Sequence, residues 1–474
     1  MADPLDELAG AEALLRQTVE DALQYLASLD ERPVRAAATD AVAQGFVGDL
    51  PEHGLGGPPA LARLASGLDG AHASAGPRFF HFVTGGGTPA ALAADWLGSA
   101  VDQNSFSWVS SPLGAQLEAT AVRWLLDLFH LPPTWGGVLT TGATMANFTA
   151  LAAARGWWAE QHGVEVDRDG LAGLPAAPVF SSGHLHPSAT KALAMLGLGR
   201  ERPVRLQVDD RGGFDVVALE AALRRLDAPA IVIANAGEVN AGDFDPIEAV
   251  ADVCQAHRVW LHVDGAFGLF ARLAPETGLA AGVERADSAI SDGHKWLNVP
   301  YDCGFAFVRE PARLASAFTL AAAYLPDDEH PNFGYLGPES SRRARAFAVW
   351  ATLAAYGRDG YRAMVERHLR LARRVAAQVE AADDLELLAP TRLNIVSFRF
   401  VPPGFAGDLD RLNEALGAAV NEDGRVMFGS TRYRGVAAFR PAITNWRTTE
   451  ADVDLIVEVV RELGATLAAK AVTA

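Results

Sequence analysis

Val259-Trp260-Leu261-His262-Val263-Asp264 and, one crossover later, Ser288-Ala289-Ile290-Ser291-Asp292-Gly293-His294-Lys295 decide how this chain folds. Each is a short apolar run ending in polar residues, as expected of a buried strand that delivers side chains at its carboxyl end. The same pattern recurs upstream. Val138-Leu139-Thr140 precedes a helix from about Met145 to Arg155, and Ala230-Ile231-Val232-Ile233 precedes one from about Pro246 to Gln255. Strands alternating with helices between residues 136 and 310 predict an α/β fold with a mostly parallel sheet covered by helices. Ligands of such sheets sit beyond the carboxyl ends of the strands, so Asp264 and Lys295, one strand-helix unit apart, become the candidates.

Lys295 needs a chemical reason for its place. A free lysine has a pKa of about 10.4 and is a poor nucleophile at neutral pH, so a lysine that forms an imine must lose its proton to its surroundings. Asp264 at a strand end suits an acid that holds a proton on a heteroaromatic nitrogen, with Gly265 and Ala266 leaving room for a flat ring; a helix cap or salt-bridged acid is the structural alternative. Thr140-Thr141-Gly142-Ala143-Thr144-Met145-Ala146-Asn147 joins a strand to a helix and offers an anion free N–H groups, a helix dipole and a hydroxyl. An ordinary capped turn would read the same way. His184-Leu185-His186-Pro187-Ser188 follows the strand Val179-Phe180-Ser181. Its imidazoles suit either metal ligation with His262 and Asp264 or stacking on a flat ligand.

The rest of the chain bounds these readings. Its 474 residues, half of them hydrophobic, are too many for one ordinary domain. We expect an N-terminal helical segment over residues 1–90, a large domain over 91–335 and a small α+β domain over 336–474. Leu8, Leu15, Val19, Leu23 and Leu26 predict an amphipathic helix, and Ser110-Ser111-Pro112 starts another from about Leu113 to Phe129. A helical stretch from about Arg342 to Ala382 precedes the strand Ile395-Val396-Ser397-Phe398-Arg399-Phe400. A net charge of −18, with Arg342-Arg343-Ala344-Arg345 the one dense basic run, argues against nucleic acid as a partner. Cys254 and Cys303 provide neither a disulfide framework nor a cysteine-rich metal site. Acids at Asp3, Asp6 and Glu7 stand where a signal peptide carries bases, and no apolar run approaches a membrane span, so a cytoplasmic protein is expected.

The ordered set of these segments resembles the group II pyridoxal-phosphate-dependent amino-acid decarboxylases, the family of aromatic-L-amino-acid, tyrosine, histidine and glutamate decarboxylases. The resemblance runs from Pro77-Arg78-Phe79-Phe80 to Arg440 and beyond. It implies a fold-type I, aspartate aminotransferase-like architecture with pyridoxal 5′-phosphate as cofactor and no metal. It further implies that Lys295 forms the imine with the cofactor aldehyde, that Asp264 pairs with the pyridinium nitrogen and that His186 stacks on the ring. Ala143, Thr144 and His294 then hold the phosphate, and Ala266 packs beneath the ring.

Three further matches bear on reaction type. Phe318-Thr319-Leu320-Ala321-Ala322-Ala323-Tyr324-Leu325 resembles the mobile loop whose tyrosine protonates Cα after carbon dioxide leaves, which implies an amine product. Ala438-Phe439-Arg440-Pro441 resembles the strand whose arginine meets the substrate carboxylate. Phe79-Phe80-His81-Phe82-Val83-Thr84 and Asn104-Ser105-Phe106-Ser107-Trp108 resemble the lining of the side-chain pocket. Phe82 and Phe106 suit an aromatic substrate, while Thr84 and its polar neighbours keep acidic or hydroxylated side chains open. Two residues depart from the family pattern: Glu238, where many relatives have threonine, and Asp292, where asparagine is common.

The reading that results is decarboxylation of an L-amino acid to its amine by a homodimer with shared active sites, Tyr324 reaching the neighbouring one. The alternatives are aldehyde synthesis, transamination or carbon-carbon lyase chemistry on the same cofactor, an acidic substrate, a metal-dependent hydrolase built on His184, His186, His262 and Asp264, or a catalytically silent protein.

Overall fold

The computed structural model describes residues 3–36, 39–208, 212–318 and 330–473, and among them twelve strands form two sheets. In chain order the strands are Phe79–Phe80 (β1), Gly136–Thr140 (β2), Val179–Ser181 (β3), Val204–Arg205 (β4), Ile231–Asn235 (β5), Trp260–Asp264 (β6), Ser288–Asp292 (β7), Gly304–Val308 (β8), Leu385–Leu387 (β9), Phe398–Phe400 (β10), Met427–Tyr433 (β11) and Val436–Arg440 (β12). The larger sheet runs β2-β8-β7-β6-β5-β3-β4. From β4 to β7 every neighbour is parallel, and β8 runs antiparallel to both β7 and β2. Every residue of β5, β6, β7 and β8 is buried, because helices cover both faces of the sheet. The chain therefore has the α/β architecture that its strand-helix alternation predicts and the fold-type I arrangement that the resemblance implies.

Register then aligns the site. Asn235 pairs with Asp264, and Asp264 with Ile290, two residues before Asp292. Asp292 pairs with Gly304, and Gly304 with Thr140, so the turn after β2 opens at the same edge of the sheet. Glycine is required at 304, since a Cβ there would lie 2.6 Å from the Cα of Gly142. The helix Ala143–Glu160 leaves this turn and lies on the sheet through Ala146, Ala150 and Ala153, small side chains that allow close approach.

The smaller sheet runs β1-β11-β12-β10-β9. Phe398, Phe400, Phe428 and Phe439 pack with Val375, Val379, Ile456 and Val460 from its covering helices into a second core. Strand β1 pairs in parallel with β11, tying the segment near residue 80 to this sheet. Expected elements differ at their ends. The long helix starts at Ala346 rather than Arg342, runs to Ala381 and breaks at Gly357, whose φ of +57° no helical residue adopts. The strand expected from Ile395 begins at Phe398, Ile395 making only an isolated bridge to Ala442. On the N-terminal helix Ala11–Ser28, Leu15, Val19 and Leu23 are exposed. Among the described residues no helix is long and apolar enough to cross a membrane.

A buried ion pair closes the sheet edge beside the site. Glu118, on the helix Pro112–Leu128, accepts from Arg342 Nη2 at 2.7 Å and Nη1 at 3.0 Å, with both side chains about 1 % exposed. The pair also reaches the free edge of β2: Leu139 N–H donates to Glu118 at 3.0 Å and Leu139 C=O accepts from Arg342 at 2.9 Å. The basic run noted in the sequence thus includes a guanidinium that replaces a missing neighbouring strand. Removing one partner strands the other charge in the core, which costs about 3–5 kcal/mol. Arg342→Ala should therefore lower the denaturation midpoint markedly; a midpoint equal to that of the unsubstituted protein would contradict this role.

Candidate active site

Asp264 is held by a directional chain of hydrogen bonds. Trp260 Nε1 donates to Ser288 Oγ at 3.0 Å, and Ser288 Oγ lies 2.8 Å from His262 Nδ1. His262 Nε2 lies 2.8 Å from Asn147 Oδ1, and Asn147 Nδ2 donates to Asp264 Oδ2 at 3.0 Å. The backbone N–H of Ala266 donates to the other carboxylate oxygen at 3.2 Å. Complete burial pushes the His262 pKa down to about 4, so the ring is neutral. Asn147 Oδ1 can only accept, so one neutral tautomer fits: Nε2–H donates to it, and Ser288 O–H donates to Nδ1. The chain ends on a carboxylate, the pure acceptor its direction requires.

Asp264, Lys295, His186, Ala143, Thr144, Ala266, His294, Phe82 and Arg440 line one cavity of about 580 Å³, a volume suited to a cofactor and a small substrate. Lys295 Nζ lies 3.1 Å from Asp292 Oδ2 and 5.7 Å from the centre of the Phe267 ring. His186 caps the helix Pro187–Met195, its Nδ1 accepting from the Ser188 N–H at 3.2 Å. Its ring is open to the cavity yet surrounded by enough protein to lower its pKa, chiefly by desolvation. His294 stacks on Tyr301 at 4.2 Å and accepts from the Cys303 N–H at 3.3 Å; burial lowers its pKa as well. Arg440, on β12, donates to the Val239 carbonyl at 3.3 Å, while its buried Nε has no hydrogen-bond partner among the described residues.

At the rim, Phe82 and Val83 both adopt left-handed backbone, with φ of +55° and +60°. Two successive non-glycine residues in that region store strain of about 1–3 kcal/mol each, and they hold Phe82 61 % exposed beside the cavity. Thr84 and Phe106 do not join it. The turn at Val83 sends Thr84 inward, 5 % exposed, where it faces Tyr301 Oη at 3.3 Å and lines a separate cavity of about 550 Å³. Phe106 packs edge-on against Tyr335 at 5.6 Å, its carbonyl accepting from Gly334. Tyr324 lies outside the described residues.

Glu238 does line the cavity, as its place near the cofactor suggested. Its carboxylate accepts from the backbone N–H groups of Asn240 and Ala241, and burial raises its pKa. His262, read as a possible metal ligand, has both ring nitrogens engaged in the chain to Asp264. Among the described residues no group of three or more His, Cys, Asp or Glu side chains is placed to hold a metal ion. Asn147 and Ser288 were given no role from sequence. The available signal was period-two: Trp260, His262 and Asp264 share one face of β6, and a polar residue facing the sheet from a helix must be paired.

The residues fit pyridoxal phosphate. Gly142, with φ of +148°, turns the chain into the helix start, and a Cβ there would lie 3.0 Å from His294 Cε1. The space against Ala143, Thr144 and His294 is thus one that a side chain would fill, and it faces the amino end of an 18-residue helix. A carboxylate for a ring nitrogen and a lysine for an aldehyde stand in the same cavity.

Comparison with known proteins points the same way. The pyridoxal-dependent decarboxylase conserved domain matches residues 65–401. The chain is 31% identical over 399 residues to an aromatic-L-amino-acid decarboxylase of Bacillus atrophaeus, covering 82% of this chain and 81% of the relative. It is 30% identical over 483 residues to an L-2,4-diaminobutyrate decarboxylase of Rhizobium meliloti (strain 1021), covering 97% and 94%. Its fold superposes on the crystal structure of Oryza sativa TDC with PLP and tryptamine with a TM-score of 0.90 at 24% identity, covering 98% and 100% of the two chains.

Gly142→Ala tests the cradle. The added Cβ and the unfavourable φ carry a cost of about 1–3 kcal/mol, so affinity for pyridoxal phosphate, followed by its absorbance, should fall on the order of tenfold. Unchanged affinity would show that the phosphate binds elsewhere.

Proposed function

The chain belongs to the pyridoxal-dependent decarboxylase family and is a pyridoxal-phosphate-dependent amino-acid decarboxylase, and we propose that it releases the amine from an L-amino acid with an aromatic side chain. The observation that carries the proposal is one cavity holding Lys295 and Asp264 on one wall and Arg440, with an unpaired Nε, on another.

Bound pyridoxal phosphate supplies an electron sink for the pair left when a bond at Cα breaks. The protein's part is placement and protons. Ala143, Thr144 and His294 would hold the phosphate, His186 and Ala266 would lie beside the ring, and Lys295 would supply the amine for the aldehyde. Asp264, which accepts from Asn147 Nδ2 and the Ala266 N–H, would hold a proton at the ring nitrogen. Arg440 lines the cavity, so its guanidinium suits a grip on the substrate carboxylate. A carboxylate held by Arg440 would favour loss of carbon dioxide over loss of the Cα proton. Tyr324 then returns a proton to Cα.

Phe82 at the rim and the aromatic-amino-acid relative favour an aromatic side chain. Glu238 gives a second reading its basis: a buried carboxyl in the cavity wall suits a substrate with a side-chain ammonium, as in the diaminobutyrate relative, and disfavours an acidic one. A homodimer accords with the exposed Leu15, Val19 and Leu23 stripe and with exposed Trp96 and Leu97, apolar surface that a second copy would cover.

A panel of aromatic, diamino and acidic L-amino acids, with carbon dioxide and amine measured separately, tests this reading. Aromatic turnover with equal carbon dioxide and amine is expected; preference for an acidic substrate would contradict it. Arg440→Met should lower kcat/KM by about 2–5 kcal/mol, or roughly 30-fold or more. Tyr324→Phe should cut amine formation sharply while substrate still binds; an unchanged amine yield would remove Tyr324 from the mechanism.

A further inference from the structure

Lys295 and Arg440 line one cavity but belong to different sheets: Lys295 follows β7 of the larger sheet, and Arg440 ends β12 of the smaller. A substrate held between the two reacts only if the span from one to the other is fixed. The side chain that bridges them is Asn298, which is fully buried and stays off the cavity wall. Asn298 closes the turn after Lys295, its backbone N–H donating to the Lys295 carbonyl at 3.2 Å. Its φ of +56° lies in the left-handed region, which asparagine enters at less cost than most side chains.

From that turn the amide reaches in two directions. Nδ2 donates to the Trp296 carbonyl at 2.9 Å and to the Thr444 carbonyl at 3.0 Å, and Oδ1 accepts from the Trp446 N–H at 2.9 Å. Thr444 and Trp446 lie on the segment that follows Arg440. A second bridge runs beside the first. Trp296 Nε1 donates to Nδ1 of His368, on the long helix Ala346–Ala381, at 2.8 Å, and His368 Nε2 lies 3.0 Å from the Asn445 carbonyl. Complete burial pushes the His368 pKa down to about 3, so the ring is neutral and Nε2–H donates to Asn445. The segment that carries Phe82 is fastened at the same place: Thr88 N–H donates to the Asn298 carbonyl at 2.8 Å, and Thr444 Oγ1 donates to the Thr84 carbonyl at 2.9 Å. Buried polar groups satisfied on every side hold one arrangement, because any slip leaves a donor or acceptor unmet.

We propose that Asn298, with His368 beside it, is a positioning residue for decarboxylation: it sets the span between Lys295 and Arg440, and so the orientation in which the substrate carboxylate is held. The proposal rests on the reading of Arg440 as the partner of that carboxylate. Asn298 touches neither cofactor nor substrate and acts through the two segments it joins. Its effect therefore depends on Arg440 being there to be placed.

A double-mutant cycle on the cofactor-loaded full chain tests this, with the L-amino acid that the panel above shows to be turned over fastest. Asn298→Gly removes the bridging amide and keeps the left-handed backbone. Alone it should lower kcat/KM about tenfold to a hundredfold, the scale of a displacement of roughly 1 Å. In an Arg440→Met background, where the carboxylate has lost its grip, the same substitution should cost less than about threefold. The Kd for pyridoxal phosphate, followed by absorbance, should stay within about threefold of the unsubstituted value, because the phosphate cradle is held by other contacts. If Asn298→Gly does not fold, His368→Leu breaks the second bridge with little change of volume and carries the same cycle. Losses that multiply to within about threefold, an unchanged kcat/KM, or a Kd that rises as far as kcat/KM falls would each overturn the proposal and leave Arg440 in its role. A kcat/KM untouched by Arg440→Met alone would overturn the reading of Arg440, and the proposal with it.

Discussion

The hydrogen-bond chain from Trp260 through Ser288, His262 and Asn147 to Asp264 is what the rest of the site depends on. It runs across two adjacent parallel strands and the helix that covers them, so it can form only if β6, β7 and the helix 143–160 are packed in this register. A neutral His262 gives it one direction, and that direction ends on a carboxylate. Asp264 accepts from Asn147 Nδ2 and from the backbone N–H of Ala266. The fold thus fixes a hydrogen-bonded carboxyl group at the end of β6, on the cavity wall. Truncating any middle member would leave its neighbours with unmet buried polar groups, an expensive state in a dry core.

The phosphate end is built by a separate device. Strand β2 sits at the sheet edge, and its exit turn would have little to fix it without Glu118 and Arg342 on Leu139. Those two residues come from a helix before the sheet and a segment after it, so the cradle is held by long-range contacts. Gly304 and Gly142 then approach too closely for any side chain, which brings Asp292 and His294 against the turn. One end of the cavity is set by a polar chain within the sheet, the other by an ion pair at its edge.

Much of this was legible in the sequence because strand-helix alternation is a strong signal and polar residues at strand ends stand out against it. Asp264, Lys295, Ala143, Thr144 and His186 were found that way, and all line the cavity. Arg440 lay far away in sequence and was legible only through a family resemblance, since nothing local distinguishes an arginine at the end of a strand of the smaller sheet. Thr84 lies off the cavity of this chain for a physical reason, while Phe106 packs against Tyr335. The left-handed pair Phe82-Val83 turns the backbone, and neither residue type advertises a positive φ. Asn147, Ser288 and the edge-closing Arg342 were illegible because their roles exist only after packing: each is defined by a partner more than 100 residues away in the cases of Asn147 and Arg342. The kink at Gly357 was equally hidden within a continuous helical pattern.

The central claim is that Lys295, set in the same cavity as Asp264, is the covalent anchor of pyridoxal phosphate. Borohydride reduction of the cofactor-loaded protein, followed by proteolysis and mass spectrometry, tests it most directly. The account predicts a pyridoxyl group on the peptide containing Lys295 and on no other lysine. A pyridoxyl group at Lys191 or Lys470, or none on Lys295, would contradict it.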